Sequence, residues 1–300
     1  MGDVIASGER GREARPSVGS SFHYSFGLLP RDQRRGIEAV YSFCRVIDDI
    51  ADEEPGHLPA GGRGGRTGPA PDAGAASELA FYRQEIDRCY SGWPTIPMTR
   101  ELKDAIDRFG IPRQPLDDLL DGVEMDLYRT RYSTFNDLRD YCYRVASTIG
   151  IICLSIFGCR HPKSRDYAID LGIALQLTNI LRDLKDDALR DRIYVPLEEM
   201  AAFGYSEGEL LAGVHNPAFL ALMQHQARRA ERHFERAAAQ FPEAERARLL
   251  AARVMAAIYR RLLRRIEAVG FRVFDRRIRV PRLQQIGLAL KARITGQVRS

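Results

Sequence analysis

Apolar residues recur at spacings of three and four along most of the chain and nowhere alternate over the length of a strand, a pattern that predicts helices throughout. The helices fall near residues 31–53, 77–91, 99–109, 114–128, 134–158, 163–190, 217–240, 243–269 and 281–293. Start signals support several of them: Pro30-Arg31-Asp32 before the first, Ser133-Thr134 before the fifth and Asn216-Pro217 before the seventh. Residues 55–76 break the pattern with Gly, Pro, Ala and a few Arg. They have almost no large apolar side chain to offset the entropy of ordering, so a disordered insertion is expected there. The helices on either side have comparable composition, which makes this an insertion within one domain and not a boundary between two. A mobile tail over residues 1–19 and a single all-α domain over 20–295 complete the expected organisation.

At 300 residues, 45% hydrophobic and 28% charged, the chain is long and apolar enough to bury a substantial core. The net charge of +5 comes from acids and bases interleaved through most of the sequence, so bulk charge does not argue for nucleic acid. Arginines gather near the end, from Arg260 to Arg282, and read as a solvated cationic face, with an anion-facing or membrane-surface role as the competing reading. Zinc spacing and an RNP-like signature are both missing, and no nucleic-acid partner is expected. The five cysteines, Cys44, Cys89, Cys142, Cys153 and Cys159, lack paired spacing and are expected reduced and mostly buried. The six histidines show no ligand spacing, and Trp93, in a Gly-Trp-Pro turn, is expected to pack. The polar first residues do not resemble a signal peptide, and no run reads as a membrane span, so the expected setting is the cytoplasm.

Candidate chemistry enters with two acidic helices. Tyr41, Arg45, Asp48 and Asp52 stand at i, i+4, i+7 and i+11, one continuous helical face, while Val40, Phe43, Val46, Ile47 and Ile50 supply an apolar side. Gln176, Asn179, Asp183 and Asp187 repeat the layout in one of the most apolar helices of the chain. Each carries a DxxxD pair, and stacked carboxylates call for a counterion. Carboxylate and amide oxygens without His or Cys suit magnesium, which keeps waters and is completed by substrate phosphates. A lone DxxxD reads more simply as a solvated acidic face, but two copies in apolar surroundings point to a clamp for magnesium-bound diphosphate.

At these residues the chain resembles the squalene/phytoene synthase family. The resemblance runs through Ser21-Phe22, the segment Tyr41 to Asp52, Asp121-Gly-Val-Glu-Met-Asp126-Leu, Tyr141 to Gly150, Leu175 to Asp187, and Arg192-Ile-Tyr194-Val-Pro196. It implies an all-α isoprenoid synthase helical bundle with a central cavity. It further implies head-to-head condensation of two prenyl diphosphates, with magnesium as cofactor. Asp48, Asp52, Asp183 and Asp187 would bind the metal, with Asn179 and Gln176 completing that shell. Ser21, Tyr41, Arg45, Arg182, Arg192, Tyr194, Tyr259 and Arg276 match positions that hold phosphate or line the cavity. Tyr141 matches a tyrosine proposed to take part in proton loss, and Phe22 and Phe26 match the wall of the prenyl tunnel. Glu124 and Asp126 sit in the central signature, yet as bare residues they could equally be surface charges. The chain departs from the family at Val18-Gly19-Ser20-Ser21, where some members place a His and a Lys, and at Leu184-Lys185-Asp186 between the second pair of aspartates.

Within the family the chain looks nearest to bacterial presqualene diphosphate synthases of hopanoid pathways, which act on farnesyl diphosphate. Phytoene synthesis from geranylgeranyl diphosphate is the alternative, and a catalytically silent binding protein on the same scaffold is an alternative of another class. The sequence has no dinucleotide-binding loop and NADPH is not the expected cofactor, but family members that reduce their product do so without such a loop, so full reduction with NADPH stays open. A greasy product makes transient contact with a membrane surface part of the expectation.

Overall fold

The computed structural model describes residue 27, residues 29–52 and residues 73–295, with the side chains of residues 52, 73 and 293–295 outside that description. The elements are α1 (Arg31–Asp52), α2 (Ala73–Ser91), α3 (Pro97–Phe109), α4 (Gln114–Tyr128), α5 (Phe135–Cys142), α6 (Thr148–Phe157), α7 (Pro162–Leu189), α8 (Leu197–Ala202), α9 (Glu207–Leu211), α10 (Pro217–Ala239), α11 (Leu250–Ala268) and α12 (Arg282–Thr295). A π-helical turn, Tyr143–Ser147, joins α5 to α6 into one central rod. Among the described residues there is no strand, only a single bridge between Arg131 and Ile193. The all-α, single-domain expectation holds. The tail and most of the 55–76 insertion lie outside the described residues, although α2 begins at Ala73, earlier than expected.

Local chemistry explains the helix starts. Thr134 accepts from the Asp137 amide while Asp137 accepts from the Thr134 amide, a reciprocal cap that opens α5. Asn216 accepts from the Phe219 amide at 2.9 Å, with Pro217 in the first turn of α10. The apolar side of α1 is buried at Val40, Phe43, Val46, Ile47 and Ile50, as its spacing requires. The short α8 and α9 went unpredicted because five or six residues cannot display a 3.6-residue period. The expected helix over 243–269 starts only at Leu250, after a 3₁₀ turn at Glu243–Glu245. In that turn Glu245 faces the start of α7 and accepts from the amide of His161 at 3.0 Å.

The central rod sits between α4 and α7. Among the described residues it alone is long and apolar enough to cross a membrane, contrary to the expectation that no run reads so, but here it packs inside the bundle. Two glycines let its π turn fit. A Cβ on Gly122 would lie 2.7 Å from Arg144 Cβ, and one on Gly172 would lie 2.6 Å from the Cα of Ser147. Only residues without side chains allow both flanking helices to approach this closely. On the outside, Trp93 is 79% exposed, because the turn after α2 carries it away from the bundle; its expected packing role is not found.

Candidate functional site

Both acid-bearing helices, α1 and α7, face one polar chamber of about 500 Å³. Asp48 and Arg45 enter it from α1, and Gln176, Asn179, Arg182, Asp183 and Asp187 from α7. The central rod adds Tyr141, and the segment after α7 adds Arg190, Arg192 and Tyr194. The backbone of Asp52 ends α1 beside this chamber's other α1 residues, but its side chain is outside the described residues, as are Ser21, Phe22 and Phe26. A second, mostly apolar chamber of about 240 Å³ meets the first at Arg45, Asp48, Val145, Gln176 and Asn179. Its wall includes the predicted Tyr41 and Tyr259.

In the polar chamber the charges are extensively cross-neutralised. Arg182 donates from Nε to Asp183 Oδ1 at 2.8 Å, and a second guanidinium nitrogen reaches the other oxygen. Arg277 binds Asp183 at 3.0 Å and Asp186 at 3.3 Å. Arg45 pairs with Asp49 at 3.1 Å, and Arg192 donates to the Ala51 carbonyl at 2.6 Å, which ties the loop after α7 to the end of α1. Burial, with the charges of Asp183 and Asp126 added, pushes the Asp187 carboxyl up to about 8, against the pull of Arg192 and Arg190. Burial also raises the Tyr259 phenol, with neighbouring Arg182 acting in the opposite direction.

Asp126 organises one wall. The hydroxyls of Tyr141 and Tyr194 both donate to it, each at 2.8 Å, and their rings stack with centroids 5.1 Å apart. Tyr132 completes a three-ring cluster, its centroid 5.6 Å from that of Tyr194 and 5.4 Å from that of Tyr141. Burial and then the Asp126 charge lift the Tyr141 phenol well above its ordinary range, so the hydroxyl keeps its proton. Asp126 is thus a site residue, whereas Glu124 pairs with Arg83 at 2.6 Å, away from the chamber.

One predicted residue is displaced: Arg276 is exposed and does not line the chamber, while its neighbour Arg277 does. The segment after α11 is non-helical here, so side-chain direction follows a local turn and cannot be read from a helical period. Asp186 and Arg277 were missed because their ion pair joins remote segments, and Arg190 because it lies just past the last turn of α7, beyond the helical period.

The donor set fits a hard cation. The side-chain oxygen of Asn179 is buried with no hydrogen-bond partner, beside Gln176, whose oxygen accepts from Asn179 Nδ2 at 3.3 Å. Among the described residues, however, no three carboxylate, thiolate or imidazole groups converge tightly enough to hold a metal by themselves. Such a dispersed set of oxygens suits magnesium, whose remaining positions are taken by water and phosphate.

The sequence pattern of the squalene/phytoene synthase family matches residues 15–284. The chain is 33% identical over 287 residues to a phytoene synthase of Arthrospira platensis, covering 90% of this chain and 87% of that one. Among solved structures, a dehydrosqualene synthase in complex with a ligand superposes with a TM-score of 0.76 at 27% identity, over 92% of each chain. A squalene synthase from Alicyclobacillus acidocaldarius superposes with a TM-score of 0.70 at 26% identity, over 83% of this chain and 89% of that one.

Proposed function

Because the chain belongs to the squalene/phytoene synthase family, we propose that it is a magnesium-dependent prenyltransferase that joins two geranylgeranyl diphosphates head to head on the way to phytoene. The observation that carries the substrate choice is its similarity to a phytoene synthase along 90% of its length. This replaces the expectation, drawn from the resemblance of the Asp121–Leu127 segment, the Ser20-Ser21-Phe22 start and the Gly270–Arg277 tail, that farnesyl diphosphate and presqualene diphosphate come first. The farnesyl reading stays as the second, favoured by the dehydrosqualene and squalene synthases that share the fold.

The two chambers divide the work. Asp48, Asp183, Asp187 and the Asn179 oxygen would hold magnesium in the polar chamber, with Asp52 and Gln176 assigned to the same shell by resemblance. Bound there, the metal supplies Lewis-acid neutralisation of a departing diphosphate. Arg45, Arg182, Arg190, Arg192 and Arg277 offer guanidinium donors in the same space, and such charge-assisted hydrogen bonds act where leaving charge develops. Arg182 and Arg277 are paired with Asp183, a group that a cation would otherwise claim, so a metal-bound diphosphate lets these charges exchange one partner for another.

When the first C–O bond breaks, its electron pair leaves with diphosphate and an allylic cation remains. The apolar chamber shields that cation from water, and the Tyr41 ring face contributes about 1–2 kcal/mol of cation–π attraction when desolvated. Attack by the double bond of the second chain and loss of a proton close a cyclopropane. The released diphosphate takes that proton, or the Tyr141 oxygen takes it while the phenol's own proton passes along its hydrogen bond to the Asp126 carboxylate. Buried Tyr141 and Tyr194 hold this wall in place. The proposed setting is the cytoplasmic side of a membrane, to which exposed Leu283 and Leu290 of α12 offer an apolar edge near the exposed Arg276 and Arg279.

Incubation with farnesyl or geranylgeranyl diphosphate and magnesium, with and without NADPH, followed by lipid extraction, tests the reading. The expected result is phytoene from the C20 substrate without NADPH. Asp48→Ala and Asp183→Ala are each expected to lose turnover by at least about a hundredfold with helicity by circular dichroism intact. Near-wild-type product from either variant would refute the assigned metal site.

A further inference from the structure

The apolar chamber has a direction. Its lining residues on α7 run from Asn179 back to Tyr167, on α1 from Asp48 back to Ile37, on the central rod from Val145 on to Phe157, and on α11 and its N-cap from Tyr259 back to Leu249. In all four the end away from the acids is large and apolar, so the far end is a floor. Tyr167 and Leu171 also line a separate outer groove of about 280 Å³, between α7, α10 and α11. These two side chains are therefore the partition between tunnel and groove.

Tyr167 is fixed in that position. It is buried, and its ring meets Phe241 edge to face with centroids 5.3 Å apart. Arg246 and Arg253 in turn lie over the Phe241 ring, at 5.5 and 5.7 Å. An edge-to-face pair held by two guanidinium groups resists rotation more than an unbraced ring does.

The distance from the mouth to this floor is twelve residues of helix, Asn179 to Tyr167, or about 18 Å at 1.5 Å per residue. Each isoprene unit adds four chain bonds, and because a bond of about 1.5 Å advances only about 1.25 Å along an extended zigzag chain, a unit spans roughly 5 Å. Three units stop short of the floor, and a fourth reaches it.

We infer that Tyr167, braced by Phe241, is the residue that sets prenyl chain length in this enzyme, by closing the tunnel where the fourth isoprene unit ends. The inference rests on the reading that a prenyl chain occupies the apolar chamber. Removing the phenol ring joins the tunnel to the outer groove and admits a fifth unit, and enlarging the ring excludes the fourth.

The test is binding of unreactive thiolodiphosphate analogues of farnesyl, geranylgeranyl and geranylfarnesyl chains, in magnesium, to the full-length protein, together with product analysis from the matching substrates. Tyr167→Ala is expected to raise affinity for the C25 analogue relative to C20 by about tenfold or more, the size of effect that a few buried methylenes produce. Phe241→Ala should shift the ratio in the same direction by less, since it removes only the brace. Tyr167→Trp should shift it toward C15. Opposite shifts from one position cannot come from general misfolding. If the wild-type protein binds the analogues and both Tyr167 variants keep its chain-length order, the floor assignment is wrong. If the wild type binds none of the three, the prenyl diphosphate reading itself fails, and the inference with it.

Discussion

Asp187 is a carboxyl whose surroundings make it keep its proton. With burial and the charges of Asp183 and Asp126 lifting it to about 8, it is protonated at neutral pH in the metal-free protein. A magnesium ion needs it ionised, so metal binding must expel that proton. Affinity for magnesium with diphosphate is therefore expected to rise with pH and level off above about 8, and calorimetry in buffers of different ionisation enthalpy should detect the released proton at neutral pH. The stability sign follows from the same shift. A carboxyl raised in the folded state opposes folding fully above its folded value, about 8, and the penalty fades as pH falls toward its ordinary unfolded value. Asp187→Asn should then raise the melting temperature of the metal-free protein at about pH 8.5 and change it little near pH 5. Asp126→Asn removes one of the raising charges and should move the levelling point of metal affinity to lower pH; an unchanged profile would show that the Asp126 charge does not act on Asp187.

Among the elements, the central rod depends most on its neighbours. Its π turn, at Tyr143–Ser147, is the stretch that turns Val145 and Ala146 to the apolar chamber, with Tyr141 facing the polar one just before it. That stretch is flanked by Gly122 of α4 and Gly172 of α7, and at Gly172 the obstructing atoms are backbone. Backbone cannot rotate aside as a side-chain tip can. Gly172→Ala is expected to cost about 1–3 kcal/mol through overpacking and to weaken turnover beyond that loss, because α7 carries Asp183 and must shift against the rod. Urea unfolding and a steady-state assay at a temperature where the variant remains folded separate the two effects; unchanged stability would mean that the helices slide apart freely. Helix starts with a side-chain cap, such as those at Thr134 and Asn216, were legible, since a cap and its amide are three residues apart, whereas the uncapped start at Leu250 was not. The π turn was not, because Tyr143–Ser147 has ordinary helical composition.

The whole molecule is an open-ended vessel, polar where the carboxylates of α1 and α7 meet and apolar toward Tyr167 and Phe157. Because the described carboxylates do not form a tight metal cage unaided, magnesium alone is expected to raise the melting temperature little. Magnesium with inorganic diphosphate should raise it by several degrees, the linkage expected when ligand is present at about a hundred times its dissociation constant or more. A full rise with magnesium alone, seen by thermal scanning, would point to a preformed metal cage. What the sequence determined by itself was whatever repeats over a few residues: the helices, their caps, and the two faces bearing Asp48 and Asp183, because the helical period and hydrogen bonding within a turn are local. Which arginine enters the chamber, Arg277 and not Arg276, how Asp126 unites Tyr141 with Tyr194, and where the tunnel ends against Tyr167 and Phe241 were decided only in three dimensions. Each of these depends on segments tens of residues apart meeting at a few ångströms, and no spacing along a single helix records that distance.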